Sequence, residues 1–82
     1  MIIKDIINDY TETNNFEIRY INNQILIYYY DKIKNFSSDK IEILNKDSIY
    51  IITGKNLIIK EMNEIELTIS GVIAKIEMKS NE

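Results

Sequence analysis

From Phe16 to Met78 the chain alternates apolar and polar residues with a period of two, and this alternation constrains its fold more than any other feature. Ile65, Leu67 and Ile69 alternate with Glu66, Thr68 and Ser70, and Val72, Ala74, Ile76 and Met78 alternate with Ile73, Lys75 and Glu77. The runs KIEIL and FEIRYI behave in the same way. Successive side chains of an extended strand point to opposite faces, so a period of two gives each strand one apolar and one polar face. Twenty isoleucines favour this arrangement, because a β-branched side chain packs well on a pleated surface. SIYIIT is apolar on both faces and predicts a strand covered on both sides. Polar breaks (NN, DK, SSD, NKD, GKN and MNE) separate the runs at intervals of roughly eight residues. Strands of about five to seven residues joined by tight turns follow. The expected fold is mostly β: an antiparallel meander, a small roll or a sandwich.

A longer period overlies the alternation. The two glycines, Gly54 and Gly71, fall in one series with Asn22 and Ser38, at spacings of 16, 16 and 17 residues. Three residues after these anchors come Ile25, Ile41, Leu57 and Ala74, and five after come Ile27, Ile43, Ile59 and Ile76. Tyr20, Phe36, Ile52 and Ile69 stand two residues before them. A unit of about 16 residues is hairpin-sized, so the spacing predicts hairpin-sized repeats. Gly54 and Gly71 would then supply a structural turn or bulge that costs a larger residue more.

The segment MIIKDIINDYTE differs. Ile2, Ile3, Ile6, Ile7 and Tyr10 share one helical face, which predicts a short amphipathic helix over residues 1–12, followed by a TETNN loop. The helix is expected either to pack on its own sheet or to dock on a partner through Ile2, Ile6 and Tyr10. Its acidic polar face argues against a membrane surface. The whole chain, residues 1–82, reads as a single domain. So short a chain buries little core, and without cysteine it has no disulfide to reinforce it. Association, including homo-oligomerisation, is the expected reinforcement. Val72–Met78 is the candidate edge strand, with Lys75 and Glu77 as gatekeepers against uncontrolled pairing.

Composition narrows function mainly by exclusion. The net charge of −3 offers no basic field for a phosphate backbone. With neither histidine nor cysteine, imidazole and thiolate metal sites are excluded. No glycine-rich phosphate loop or nucleophile–base pairing occurs, and Glu61, Glu64, Glu66 and Glu77 are interspersed with Lys55, Lys60 and Lys75 as on a solvated face. No enzymatic activity, cofactor or metal is therefore expected. No apolar run reaches the roughly 18 residues of a membrane span, and the first residues lack the basic flank and small-residue cleavage site of an export signal. The run Tyr28-Tyr29-Tyr30 is the most conspicuous candidate for binding. Alternation places Tyr28 and Tyr30 with Leu26 on one face and Tyr29 with Ile25 and Ile27 on the other. Either the rings pack across strands, or Tyr28, Tyr30 and Lys32 form a contact patch for a protein partner. Base stacking beside Lys32 and Lys34 is the third option, the one a small nucleic-acid-binding β-barrel would use.

The run ITGKNLIIKEMNEIELTISGVIAKIE resembles the C-terminal half of the YabP/YqfC family of sporulation proteins. That family reads I-x-G-x-x-L-x-I, a short polar link, then L-x-I-x-G-x-I-x-x-I-x-F. Ile52, Gly54, Leu57 and Ile59 match the first phrase. Leu67, Ile69, Gly71, Ile73 and Ile76 match the second, with Met78 at its large apolar end. Upstream, Ile25, Ile27, Ile33, Phe36 and Ser37 fit the family's phrase L-x-I-E-N-H-x-G-I-x-x-Y-S. Tyr28 and Tyr29 replace its Glu-Asn, Tyr30 its His and Lys32 its Gly. The resemblance covers residues 16–78 and is nearer the YqfC branch, although the proline usual in its N-terminal region is missing. It implies a non-catalytic structural or scaffolding protein of endospore formation in a spore-forming bacterium. Such a protein would work in the mother-cell cytoplasm by protein–protein binding. The implied partner is a membrane-anchored protein of the YqfD type, which would hold the chain at the periphery of the forespore membrane. An unrelated β interaction domain is the remaining alternative.

Overall fold

The computed structural model describes residues 15–81. The expected helix over residues 1–12, with Ile2, Ile6 and Tyr10, lies outside them. Among the described residues there are six strands and no helix: β1 Glu17–Ile21, β2 Gln24–Tyr28, β3 Lys32–Phe36, β4 Lys40–Asn45, β5 Ser48–Met62 and β6 Glu66–Ser80. All neighbours are antiparallel, in the order β1-β2-β6-β5-β4-β3. The mostly β expectation therefore holds.

This order cannot lie flat. Strands β2 and β3 stand four steps apart, about 19 Å at the usual strand spacing. Only residues 29–31 join them, and the four residue steps from Tyr28 to Lys32 span at most about 14 Å. The sheet must therefore fold over on itself. The core confirms the fold-over: Ile25 and Ile27 of β2 share one buried cluster with Ile41 and Ile43 of β4, although β6 and β5 lie between them in the sheet. The result is two half-sheets. One comprises β1, β2, residues 66–70 of β6 and residues 58–62 of β5. The other comprises β3, β4, residues 48–54 of β5 and residues 72–80 of β6. Ile52, Leu57, Leu67 and Ile69 complete the core between them. The smallest molecular dimension, 20 Å, suits two such layers packed about 10 Å apart.

Strands β5 and β6 belong to both halves, which departs from the expected short strands. Each runs for 15 residues through the glycine that was expected to end a repeat unit. The first two anchors, Asn22 and Ser38, do sit in hairpin turns, while Gly54 and Gly71 sit mid-strand. The ladder between β5 and β6 slips by a residue at Thr53/Gly54 and again between Lys55 and Ile58. Both glycines meet the opposite backbone. A Cβ on Gly54 would collide with the Val72 carbonyl oxygen, and one on Gly71 would lie 2.6 Å from the Asn56 carbonyl oxygen. Gly71 also has φ +130°, which L side chains rarely adopt. The glycines are thus bulge residues that bend a long ribbon. The β3–β4 turn fastens the bend, with Gly54 N–H donating to the Asp39 carbonyl (3.1 Å) and Leu57 N–H to the Ser38 carbonyl (2.8 Å).

The true turns follow local chemistry. Asn22 and Asn23, at φ 52° and 62°, make the two-residue β1–β2 turn, which favours asparagine because both residues need positive φ. At the β5–β6 turn the Asn63 side-chain oxygen accepts from the N–H groups of Ile65 and Glu66, both at 2.8 Å.

Candidate interaction surface

The tyrosine run sits at the crossing between the half-sheets, and the crossing breaks its alternation. Tyr28 closes β2, half-buried on the outer face beside Leu26, with Glu17 and Glu66 opposite it on either side. Tyr29 takes a left-handed conformation, φ 60°, and its N–H donates to the Ile65 carbonyl at 2.7 Å. That reversal turns Tyr30 toward the core, where its ring packs against the buried isoleucines. The Tyr30 hydroxyl donates to the Asn63 carbonyl at 2.8 Å, and burial pushes its pKa above the usual tyrosine value. Tyr28 and Tyr30, assigned to one face by period-two counting, are therefore separated: Tyr28 faces outward and Tyr30 ties the crossing to the β5–β6 turn. Lys32 is exposed at the start of β3. Together with Ile33, Met62 and Glu64 it lines a shallow open groove below Tyr30. Replacing Tyr30 with phenylalanine keeps the ring and removes the hydroxyl bond, so a loss of about 1 kcal/mol is expected in a urea melt. An unchanged midpoint would show that the bond contributes nothing.

The second feature is an open sheet edge. Residues 66–70 of β6 are flanked by β2 and β5, but residues 72–80 pair with β5 alone among the described residues. The expected edge, Val72–Met78, lies within this stretch. Its side chains are open to solvent: Val72 is 62% exposed, Met78 61% and Ile76 39%. On the polar face Lys75 and Glu77 form an ion pair at 3.6 Å. The other edges are β1 and β3, five residues each, and residues 54–62 of β5, whose first part is tied to the β3–β4 turn through the N–H groups of Gly54 and Leu57.

The outer face of the second half-sheet carries mixed charge. Asn35 donates to the Glu42 carboxylate at 2.9 Å, and Lys40 lies 3.8 Å from it. The Asn35 hydrogen bond, aided by Lys40, Lys79 and Lys34 against a smaller desolvation cost, holds the Glu42 pKa below its ordinary 4.5. A lowered carboxylate pKa favours the fold above the unfolded value, and that contribution is lost as pH falls through the folded value. Asn35→Ala is expected to move the Glu42 titration back up, as followed by carboxyl-carbon NMR.

Gly54 and Gly71, the expected turn or bulge residues, are brought together at the bend. Period-two counting missed the roles of Asn63 and Asp31. Asn63 stood in a polar break that signalled only a turn. Asp31 accepts from the Lys46 N–H at 2.6 Å, a partner 15 residues away that no local pattern announces. Among the described residues no group of three carboxylates could hold a metal ion, and no helix is long and apolar enough to cross a membrane. Comparison with protein-family models, curated proteins and solved structures finds no match for the chain.

Proposed function

We propose that the chain is a non-enzymatic scaffolding protein of endospore formation that works by binding other proteins in the mother cell. The observation that carries this reading is the arrangement of the residues that resemble the YabP/YqfC phrases. The two phrases are the two halves of the β5–β6 ribbon, with Ile52 opposite Ile76, Ile59 opposite Ile69 and Gly54 opposite Ile73. Ile52, Leu57, Leu67 and Ile69 of the phrases lie in the core, Ile59 and Ile73 pack against it, and the glycines allow the ribbon to bend. Such a motif constrains shape and supplies no reacting group, which supports a role in binding rather than catalysis. Tyr28, Lys32 and the open edges are the surfaces available for partners. A membrane-anchored protein of the YqfD type is the partner we propose, holding this chain beside the forespore membrane.

The decisive experiment deletes the gene in its native host and compares heat-resistant spore counts with vegetative growth. The expected result is a loss of spores with normal growth, rescued by the native chain. Full spore counts in the deletion strain would favour a general β interaction module instead.

A further inference from the structure

We propose that two copies of this chain associate through residues 74–78 of β6, pairing antiparallel about a two-fold axis at Ile76. Residues 72–80 form the longest edge uninterrupted by other backbone hydrogen bonds, and among the described residues no second strand faces their donors and acceptors. An unpaired edge with exposed apolar side chains is a template for another strand, and a second copy presents the same surface to it.

The charge pattern selects the register. Lys75, Glu77 and Lys79 lie on one face, with Ile76 and Met78 on the other. Directly opposed residues in an antiparallel pair share a face, so the axis can fall only on a residue. An axis on Lys75 or Glu77 sets like charges against each other. An axis on Ile76 sets Lys75 against Glu77 of the second copy, twice. It also places Ile76 against Ile76 and Ala74 against Met78, apolar against apolar. An axis on Met78 would satisfy Glu77 with Lys79 but oppose Ile76 to Ser80. The Ile76 axis therefore matches both faces. It would join the second half-sheets of the two copies into one continuous eight-stranded sheet. It would also cover the side chains of Ile76 and Met78 that the single chain leaves in water. Strand β1 carries a similar charge pair, Glu17 and Arg19, 3.0 Å apart, over only five residues. It therefore serves as the control. Self-association is a property of the chain alone and is tested apart from the sporulation reading.

The test is sedimentation of the full chain and its variants from about 1 μM to about 1 mM, with circular dichroism to confirm that each remains folded. The native chain is expected to dimerise. Lys75→Glu should weaken the dimer about tenfold or more, because it places two like-charge pairs in the interface. Ile76→Lys should give a folded monomer. The exchange Lys75→Glu with Glu77→Lys should restore the dimer, whereas an axis on Met78 would then set the new lysine against Lys79. Arg19→Glu should change nothing. A native chain that stays monomeric throughout, a dimer insensitive to Lys75→Glu, or failure of the double exchange to restore it would each overturn the proposal.

Discussion

Gly54→Ala is expected to lower the unfolding free energy by about 3 kcal/mol, enough to leave a domain of this size close to its threshold. Gly54 is buried at the bend of β5, where an added methyl group would collide with the Val72 carbonyl and come within 3.1 Å of Leu57 Cδ2. The first obstacle is backbone held in a ladder, so it cannot swing aside as a flexible side chain would. Relief requires β5 and β6 to separate where they turn from one half-sheet into the other. Gly71→Ala should cost about 1–3 kcal/mol, since strained φ adds to a less severe approach. Urea denaturation of both variants measures the difference. A Gly54→Ala midpoint equal to that of the native chain would mean that the bend can open without loss.

Ile69→Ala should be comparably damaging, at about 3 kcal/mol. Ile69 is fully buried and stands between Ile25 of β2 and Ile59 of β5 in the same half-sheet. Its deletion would leave a cavity whose walls are held by two ladders and so collapse poorly. Met78→Ala provides the contrast. Met78 alternates with the same regularity but is 61% exposed in the single chain, so at concentrations too low for self-association the change should stay within about 0.5 kcal/mol. Equal losses at the two positions under those conditions would mean that the 72–80 edge is covered within the single chain.

These contrasts show what alternation reveals and what it leaves open. Period two located the strands, and it put Ile25, Ile27, Ile41, Ile43, Leu67 and Ile69 on apolar faces that the structure buries. It could not distinguish Ile69 from Met78, because burial depends on which strands lie above the sheet, a non-local fact. Gly54 and Gly71 interrupt the alternation in the same way that a turn does. A bulge that shifts the register by one residue looks in one dimension like the end of a strand, so β5 and β6 read as several short strands. The tyrosine run failed for a related reason. Nothing in the residue type marks Tyr29 for positive φ, yet that one angle turns Tyr30 inward while Tyr28 keeps its place on the outer face. The asparagine breaks were legible as turns because the chemistry is local: Asn22 and Asn23 tolerate the left-handed region, whereas the capping bonds of Asn63 lie beneath a break that signals only a turn.

The dual membership of β6 also bears on how the chain folds. Strands β3, β4, β5 and β6 pair each with the next, so that meander can form from nearby residues. The β1–β2 hairpin is equally local but has no layer of its own to rest on. Its isoleucines, Ile25 and Ile27, find cover only when β2 aligns with residues 66–70, some forty residues downstream. Closing so long a loop is slow compared with forming either hairpin. Through that interval the tyrosine crossing keeps the two pieces tethered while an apolar strand stays open to other chains. The chain is thus most exposed to misassociation before β6 has been made, and any factor that shields residues 24–28 at that stage would raise its yield more than one that stabilises the finished sandwich.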